Sequence, residues 1–576
     1  MSRSLRTLFA ALLVAALSFT VLLQTEASVG IVRDEGIYMA ASRRYGEWVM
    51  NVVRGEVSVG DQKQRDRAFR VNAEHPALMK TIAGISAEFG RQPRASAVDA
   101  PAVSTDAGGP AGPRESTTYR IPAMLVASLG AGLLYWIGTQ LACSLTALVA
   151  ACGFLLLPRV FFHAHLHCFD VPVAVWILAT AACWTRAGTS RVAGVCVGIA
   201  LGLAVATKHN ALFMLPMLLG HEALAWCLRW HKTRRRPPWR ALLTLRVCSA
   251  LVVAPLVVFA TWPWLWADTA ERLLEYLEFH RLHAYYNMEF LGVNYNEPPM
   301  PASYPFMMTL ATVPWTLLAL AGAGAWFVIG DDLNEMRGAT PGGDSTTAAW
   351  DDFFTPAKNA ATPTFKGSGL VVLAIFPILL IALPSVPIFG GTKHWLTAYP
   401  FMLLLASVGL HRITTRAFRG LSEQHRVVTL TLCVACVLAP ATLSTASSHP
   451  FETAQYNGVV GGAQGGARMG LNRGYWGHSM DGLFDEQSAA RPLYLHDIHP
   501  LAARQYRRDG QWPTARRDAP LGKSQEALIF YEKHMTVDEI RIWNEYGTTR
   551  PAALLTVEDV PVTALYRRAV TRHVGE

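Results

Sequence analysis

Val32-Arg33-Asp34-Glu35-Gly36-Ile37-Tyr38 follows the first apolar run of the chain by a few residues. Two adjacent carboxylates stand where the chain has just left a membrane-like segment, ahead of residues with helical spacing. Ionisable groups beside hydrocarbon are expensive and are usually placed there for a reason. The plain structural reading is that Asp34 and Glu35 fill the first turn of the next helix, where the dipole favours acids. The functional reading is a catalytic carboxylate at a membrane surface. The rest of the chain decides between them.

The 576 residues are 51% hydrophobic and only 16% charged, with a mean hydropathy of +0.23. Soluble domains carry about 25% charged residues, so the chain reads as a polytopic α-helical membrane protein. The first apolar run, residues 5–23, is preceded by Arg3 and interrupted by Arg6. It is long for a cleaved signal and lacks a clean A-x-A site, so it is read as a retained span. Further runs of spanning length begin near Tyr119, Leu141, Asp170, Val192, Ala211, Ala241, Tyr304, Leu370, Trp395 and Val427, which makes about eleven. All nine cysteines lie between Cys143 and Cys436, on or beside these runs, and no disulfide framework is expected.

Orientation follows from Lys and Arg in short loops. Residues 186–191, 231–236 and 411–426 fall on the side of the N-terminus, which is therefore expected to be cytoplasmic. Residues 26–118, 267–303 and 446–576 then lie outside, and the Gly-, Asp- and Thr-rich insert 331–367 is a flexible cytoplasmic loop.

On the outer face, Ile37, Ala41, Tyr45, Trp48, Val49 and Val52 recur at helical spacing opposite Arg43, Arg44, Glu47 and Arg54, as in a helix lying in the interface. Asn72-Ala73-Glu74-His75-Pro76-Ala77-Leu78-Met79-Lys80 follows, with Pro76 suited to open a helix and Lys80 one turn along it. Residues 91–117 read as a loop. In Phe161-Phe162-His163-Ala164-His165-Leu166-His167-Cys168-Phe169-Asp170, His163, His167 and Asp170 would share a helical face. A metal site there is weighed against three interfacial histidines without one, and the second is preferred. Asp170 opens a span and reads either as an N-cap or as a second acid on the face of Asp34. Thr207-Lys208-His209-Asn210 and Gly390-Gly391-Thr392-Lys393-His394-Trp395 bring two more lysines to that face, where snorkelling is the competing explanation. Residues 271–286 have a helical pattern, and Trp264, Trp266, Tyr276, Tyr285 and Tyr286 suit an aromatic belt or a sugar-stacking surface.

From Ala446 the chain is polar. Residues 491–495 and 526–531 read as strands, Thr536-Val537-Asp538-Glu539 as a capping box opening a helix, and 552–567 as a strand or hairpin. This predicts a small exterior α/β domain over 446–576, with 1–445 as the membrane domain. His496-Asp497-Ile498-His499 reads as a turn after a strand rather than as metal ligands.

Taken in order, these pieces resemble the GT-C superfamily of membrane glycosyltransferases, in the branch of protein O-mannosyltransferases and lipid A aminoarabinose transferases. The resemblance rests on Asp34-Glu35, on His75-Pro76-x-Leu78-x-Lys80, on Asp170, on Thr207-Lys208 and on Gly391-x-Lys393-His394-Trp395, across residues 1–445. Ala77 stands where a second proline is common, and residues 446–576 match no sugar-binding module, which leaves the acceptor open among protein, lipid and glycan. The resemblance implies a sugar donor on a polyprenyl phosphate, reaction on the outer face of a bacterial inner membrane, and inversion at the anomeric centre. It implies Asp34 as base with Glu35 orienting it or the acceptor, and His75, Lys80, Asp170, Lys208, Lys393 and His394 as substrate-binding residues. A lipid phosphate is a competent leaving group, so cations can substitute for a general acid. No cofactor is required by this reading; a divalent cation is the single one it leaves room for. No nucleic-acid partner is expected. The competing class is a transporter or flippase of a lipid-linked or anionic substrate, with Lys208 and Asp170 lining a pathway. Against it, no internal repeat or broken-helix pair is evident.

Overall fold

A computed structural model describes residues 2–90, 114–336, 367–488, 490–512 and 518–569. Most of the insert 331–367 and most of the loop 91–117 lie outside the described residues; residues 115–117 already belong to the helix Glu115–Leu141. Each of the eleven expected apolar segments contains a helix. Among the described residues, five are long and apolar enough to cross a membrane: Arg3–Ser28, Glu115–Leu141, Trp315–Asn334, Gly391–Ala417 and Glu423–Ser448. Ser144–Leu156 and Pro158–His165 form a pair bent by 64°, a sixth if counted as one broken span. This pair corrects the expectation that no broken helix is present, and its cause is local: Pro158 lacks an N–H and opens the second helix. Arg191–Thr207, Leu245–Thr261 and Gly367–Ile381 are apolar but shorter. The chain is a multi-pass membrane protein.

The N-terminal helix Arg3–Thr25 buries only Ala11, Ala15 and Leu22, while Leu5, Leu8, Phe9, Leu12 and Leu17 stand exposed. A helix apolar nearly all round, packed along a stripe of small residues, is what a lipid-facing span requires. Its stripe meets the helix Glu115–Leu141, where a side chain at Gly132 would sit 2.6 Å from the Ala11 carbonyl oxygen.

The helix Arg33–Val53 follows, with Val32 at its N-cap and no side chain capping it. Its apolar face, including Tyr45 and Trp48, packs with Phe69, Trp262 and Tyr276. The helical pattern after residue 267 is realised as Thr269–Arg281. Beyond it lies a hairpin that the sequence did not announce, β1 (Met288–Phe290) antiparallel to β2 (Val293–Tyr295). Leu291 and Gly292 turn it with φ of 51° and 76°, the pair of positive values that a tight two-residue hairpin needs.

The C-terminal region is the expected small α/β unit. Its sheet has the order β3-β4-β6-β5, from β3 (Leu493–Leu495), β4 (Glu526–Phe530), β5 (Ala553–Val557) and β6 (Val560–Arg567). The β3–β4 pair is parallel, and the other pairs are antiparallel. All five residues of β4 are buried, as a central strand requires. The helix Thr536–Tyr546 begins as expected, but its N-cap is Met535, and the Thr536 hydroxyl donates to the Lys533 carbonyl, so no capping box forms.

This unit is docked against the opening of the helix Arg33–Val53. A Cβ on Gly36 would lie 2.5 Å from the Ala502 nitrogen, so the helix Pro500–Arg508 can approach only because position 36 has no side chain. The Ile31 N–H donates to the Tyr506 hydroxyl at 2.6 Å, and the Ser116 N–H to Asp509 Oδ1 at 3.1 Å.

Beneath that contact Arg120 is fully buried. Its Nε and Nη2 reach the two oxygens of Glu35 at 2.8 and 2.7 Å, and its Nη1 reaches Glu26 at 2.8 Å. It also donates to the carbonyls of Val29 at 2.9 Å and Gly30 at 3.0 Å. Replacing Arg120 by Met would leave Glu26 and Glu35 buried without a counter-charge, a loss of about 3–5 kcal/mol. We expect Arg120→Met to abolish monodisperse protein in detergent, measured by size-exclusion profile and thermal melting. A wild-type melting temperature would show that the network is dispensable.

Candidate active site

Successive residues of a helix point about 100° apart, and the first turn of Arg33–Val53 uses this. Glu35 turns inward to Arg120 and also accepts the His167 N–H at 2.8 Å. Asp34 turns the other way, into a cavity, with 29% of its side chain exposed. Of the two acids only Asp34 lines that cavity; Glu35, buried against Arg120, does not reach it.

Lys393 faces Asp34. Its ammonium lies 3.4 Å from Asp34 Oδ2, over the rings of Trp476 at 3.9 Å and Phe389 at 4.7 Å. The turn that delivers it, Gly390-Gly391, has φ of 70° and 63°, which favours glycine. A second pair stands beside the first: Lys208 Nζ is 2.5 Å from Asp170 Oδ1, and Asp170 is buried. Asp170 is the first residue of its helix and makes no cap of its own; the N-cap is Phe169. Both carboxylates and both lysines line the same cavity.

His75 and His394 line it too. Burial, with Lys80 and His280 nearby, holds the His75 imidazole well below its usual range, so it is neutral near pH 7. His394 accepts the Phe389 N–H at 3.1 Å. Lys80, expected among the phosphate-binding cations, is placed elsewhere. Its ammonium is fully buried and donates to Asn72 O at 2.7 Å, Asn72 Oδ1 at 2.9 Å and His75 O at 2.9 Å. It ties down the Asn72–His75 turn, whose Asn72 has a φ of 57°, and does not touch the cavity.

The three histidines of 163–167 diverge. His163 Nε2 meets the Tyr475 hydroxyl at 3.3 Å and its Nδ1 lies 3.8 Å from Asp170. His165 bonds the Thr25 hydroxyl at 2.8 Å, and His167 the Ser42 hydroxyl at 2.8 Å. The helix ends at His165, so the shared face expected for His163, His167 and Asp170 does not form. Among the described residues no group of three or more His, Cys, Asp or Glu is arranged to hold a metal.

The cavity measures about 800 Å³ and is two-faced. One end carries Asp34, Asp170, Lys208 and Lys393. The other is apolar, walled by Ile177, Met214, Met217, Leu373, Phe376 and Phe401 from four helices. A third side comes from the C-terminal unit, through Trp476, Asp497, Glu532 and His534, with Arg33 ion-paired to Asp497 at 3.2 Å. None of these last residues was expected at the site: Asp497 stood in the run 496–499, read as a turn after a strand, and Trp476, Glu532 and His534 carry no local pattern. Tyr38, also in the cavity wall, was findable as the residue one turn after Asp34. Of the aromatic residues noted after position 260, Tyr286 lines the cavity, whereas Tyr276 packs edge-on against Trp262, and Arg272 lies over the ring of Trp264.

The arrangement can seat an anion between two lysines, lay a long apolar chain between helices, and present a carboxylate beside the anion. Residues 47–269 match the family model described as dolichyl-phosphate-mannose-protein mannosyltransferase. No curated protein matches the chain by sequence. Among solved structures, ArnT from Cupriavidus metallidurans in the apo state is 14% identical, with a TM-score of 0.46 over 96% of this chain and 97% of that one. The Archaeoglobus fulgidus oligosaccharyltransferase in the apo form is 11% identical, with a TM-score of 0.45 over 92% of this chain and 69% of that one. With the match over 47–269, the chain is a membrane glycosyltransferase resembling the dolichyl-phosphate-mannose-protein mannosyltransferase family.

Proposed function

We propose that the chain transfers a sugar from a polyprenyl-phosphate donor to a hydroxyl of a protein, lipid or glycan, with inversion, at the outer face of a bacterial inner membrane. The observation that carries this is the pairing of Asp34 with Lys393, and of Asp170 with Lys208, at the polar end of a cavity whose far end is apolar. The matched family's description names a polyprenyl-type phosphate carrying mannose, and a lipid phosphate with its tail suits both ends of such a cavity.

In this reading the donor phosphate takes the ammonium groups of Lys393 and Lys208, which stabilise the departing anion in a water-poor site. Lys393 then leaves Asp34, whose free carboxylate accepts the acceptor's proton as the new bond forms. Asp170 holds Lys208 in place, and Lys80 supports the turn that presents His75. Residues 1–445 would form the catalytic membrane domain and 446–576 an exterior domain closing the acceptor side.

The basic segments support the orientation. The helices Asp170–Arg186 and Arg191–Thr207 have Asp170 and Lys208 at the cavity, and Arg186 and Arg191 at the opposite end. The helix Tyr399–Ala417 likewise carries Arg416 away from the cavity. By the positive-inside rule the basic ends are cytoplasmic.

We expect Asp34→Asn to lower turnover roughly 10²–10⁴-fold, with expression and donor binding little changed, in an assay of transfer from a polyprenyl-phosphate sugar to extracted acceptors. Asparagine would serve a helix N-terminus well, so wild-type turnover in this variant would remove Asp34 from the chemistry. For the orientation, tags at residue 350 and at the C-terminus should report opposite sides of the membrane. Labelling of both from the cytoplasm would reverse the exterior assignment of 446–576.

The acceptor side has a pH signature. Burial, then Asp497 and Glu289, push Glu532 up to about 8, from 4.5 in the unfolded chain. Between these values the folded state binds more protons than the unfolded one, so stability falls as pH rises through that window. Thermal melting of the wild type should decline from pH 5 to pH 8, and Glu532→Gln should flatten the decline. Parallel slopes for the two proteins would exclude Glu532 as the titrating group.

A further inference from the structure

Two neighbouring residues of the C-terminal unit reach both ion pairs of the cavity. Trp476 covers the Lys393 ammonium, which lies 3.9 Å from its ring centroid, and the Trp476 carbonyl accepts the Arg33 N–H at 3.3 Å. Arg33 directly precedes Asp34, in a helix whose N-cap, Val32, offers no side-chain bond. The first N–H groups of a helix have no partner within it, so the Trp476 carbonyl caps the turn that presents Asp34. One residue thus covers the lysine with its ring and holds the aspartate's turn with its main chain. Tyr475 meets the second pair. Its hydroxyl bonds His163 Nε2 at 3.3 Å, and His163 Nδ1 faces Asp170 at 3.8 Å.

The backbone at this point is held in an unfavourable conformation. Trp476 has a φ of 71°, in the left-handed region that a bulky side chain rarely enters. Gly477 follows with a φ of 70°, and a Cβ on it would stand 3.2 Å from the ring of Phe530, at the end of β4. Packing by itself does not call for this. The Trp476 ring also packs against a buried cluster that includes Val29, Val32, Phe162 and Leu166, but an apolar side chain can be buried from ordinary backbone angles. Residues in sparsely populated conformations persist only where their surroundings fix them, and they gather at functional sites. Here the left-handed turn lets the carbonyl face Arg33 while the ring faces Lys393. A cation over an aromatic face is held most strongly where water is excluded, and the Lys393 side chain is only 4% exposed.

We propose that Trp476 is a positioning residue of the Asp34–Lys393 pair, which makes turnover depend on the docking of the C-terminal unit. Its ring holds the Lys393 ammonium beside Asp34 and away from water, and its carbonyl fixes the turn from which Asp34 faces that ammonium. The assignment rests on the catalytic reading of the pair given above, and places part of the machinery in residues 446–576.

The test compares the full-length wild type with Trp476→Phe, which keeps an aromatic face, and Trp476→Leu, which keeps an apolar side chain without one. In the transfer assay Trp476→Leu should lower kcat about 3- to 30-fold, the range of a lost cation–π contact, with the KM for the acceptor unchanged. Trp476→Phe should recover most of that loss. Should Trp476→Leu not fold, Trp476→Met, equally apolar and more adaptable, takes its place. Equal turnover in the Phe and Leu variants would leave the ring a packing role only and overturn the proposal. A raised acceptor KM at wild-type kcat would make Trp476 an acceptor contact, and would overturn it as well. A second measurement needs no turnover: thermal melting of Trp476→Leu, Lys393→Met and the double variant. The double variant should lose less in melting temperature than the two single variants together, as groups in contact do; strictly additive losses would show that ring and ammonium do not act as a unit. Absence of transfer by the wild type itself would fail the proposed function and leave this second comparison standing.

Discussion

The arrangement around the cavity depends on one buried ion network, Arg120 with Glu35 and Glu26. Five hydrogen bonds run from this guanidinium to two carboxylates and to the carbonyls of Val29 and Gly30. They join the end of the first membrane helix, the start of the helix Arg33–Val53 and the helix Glu115–Leu141. An ion pair of this kind adds little net stability over a packed apolar core, but breaking it is costly. Its effect is geometric. With Glu35 held inward, helical pitch leaves Asp34 no direction except the cavity.

The cavity then sets two like pairs side by side. Lys393 with Asp34 and Lys208 with Asp170 are each neutral as pairs, so the site is near balance before a substrate enters. In the proposed reaction an incoming phosphate upsets that balance and frees a carboxylate next to the new bond. Lys80 would have been the wrong cation for this task. Three oxygens within hydrogen-bonding distance occupy all three of its N–H donors, and nothing remains for a ligand.

The C-terminal unit gives the cavity a third wall. Gly36 admits the helix Pro500–Arg508, Tyr506 bonds the backbone at Ile31, and Trp476 covers Lys393. Asp34 and Phe530, at the end of β4 and more than 450 residues later, thus line one cavity. Aromatic cover over an ammonium also keeps water from it, which strengthens every charge interaction in the site.

Hydropathy alone determined that the chain is a multi-pass helical membrane protein, because apolar runs of spanning length have few other uses. Strand and hairpin positions in residues 491–567 were legible for a similar reason: alternation and turn residues are local properties. The order of Asp34, His75, Asp170, Lys208 and Lys393 along the chain was enough to suggest the family. Adjacency in sequence could not separate Asp34 from Glu35, nor show that Lys80 is enclosed while Lys393 is presented. Those outcomes depend on Arg120, Asn72 and Gly390–Gly391, which act through burial and backbone angles. Arg120 did carry a signal, a lone arginine at the head of an apolar run, but its partners lie 85 and 94 residues away. Glu532 carried none, and Asp497 stood in the run 496–499, which read as a turn after a strand. What a buried charge does is decided by what stands within a few ångströms of it, and only the folded chain brings those groups together.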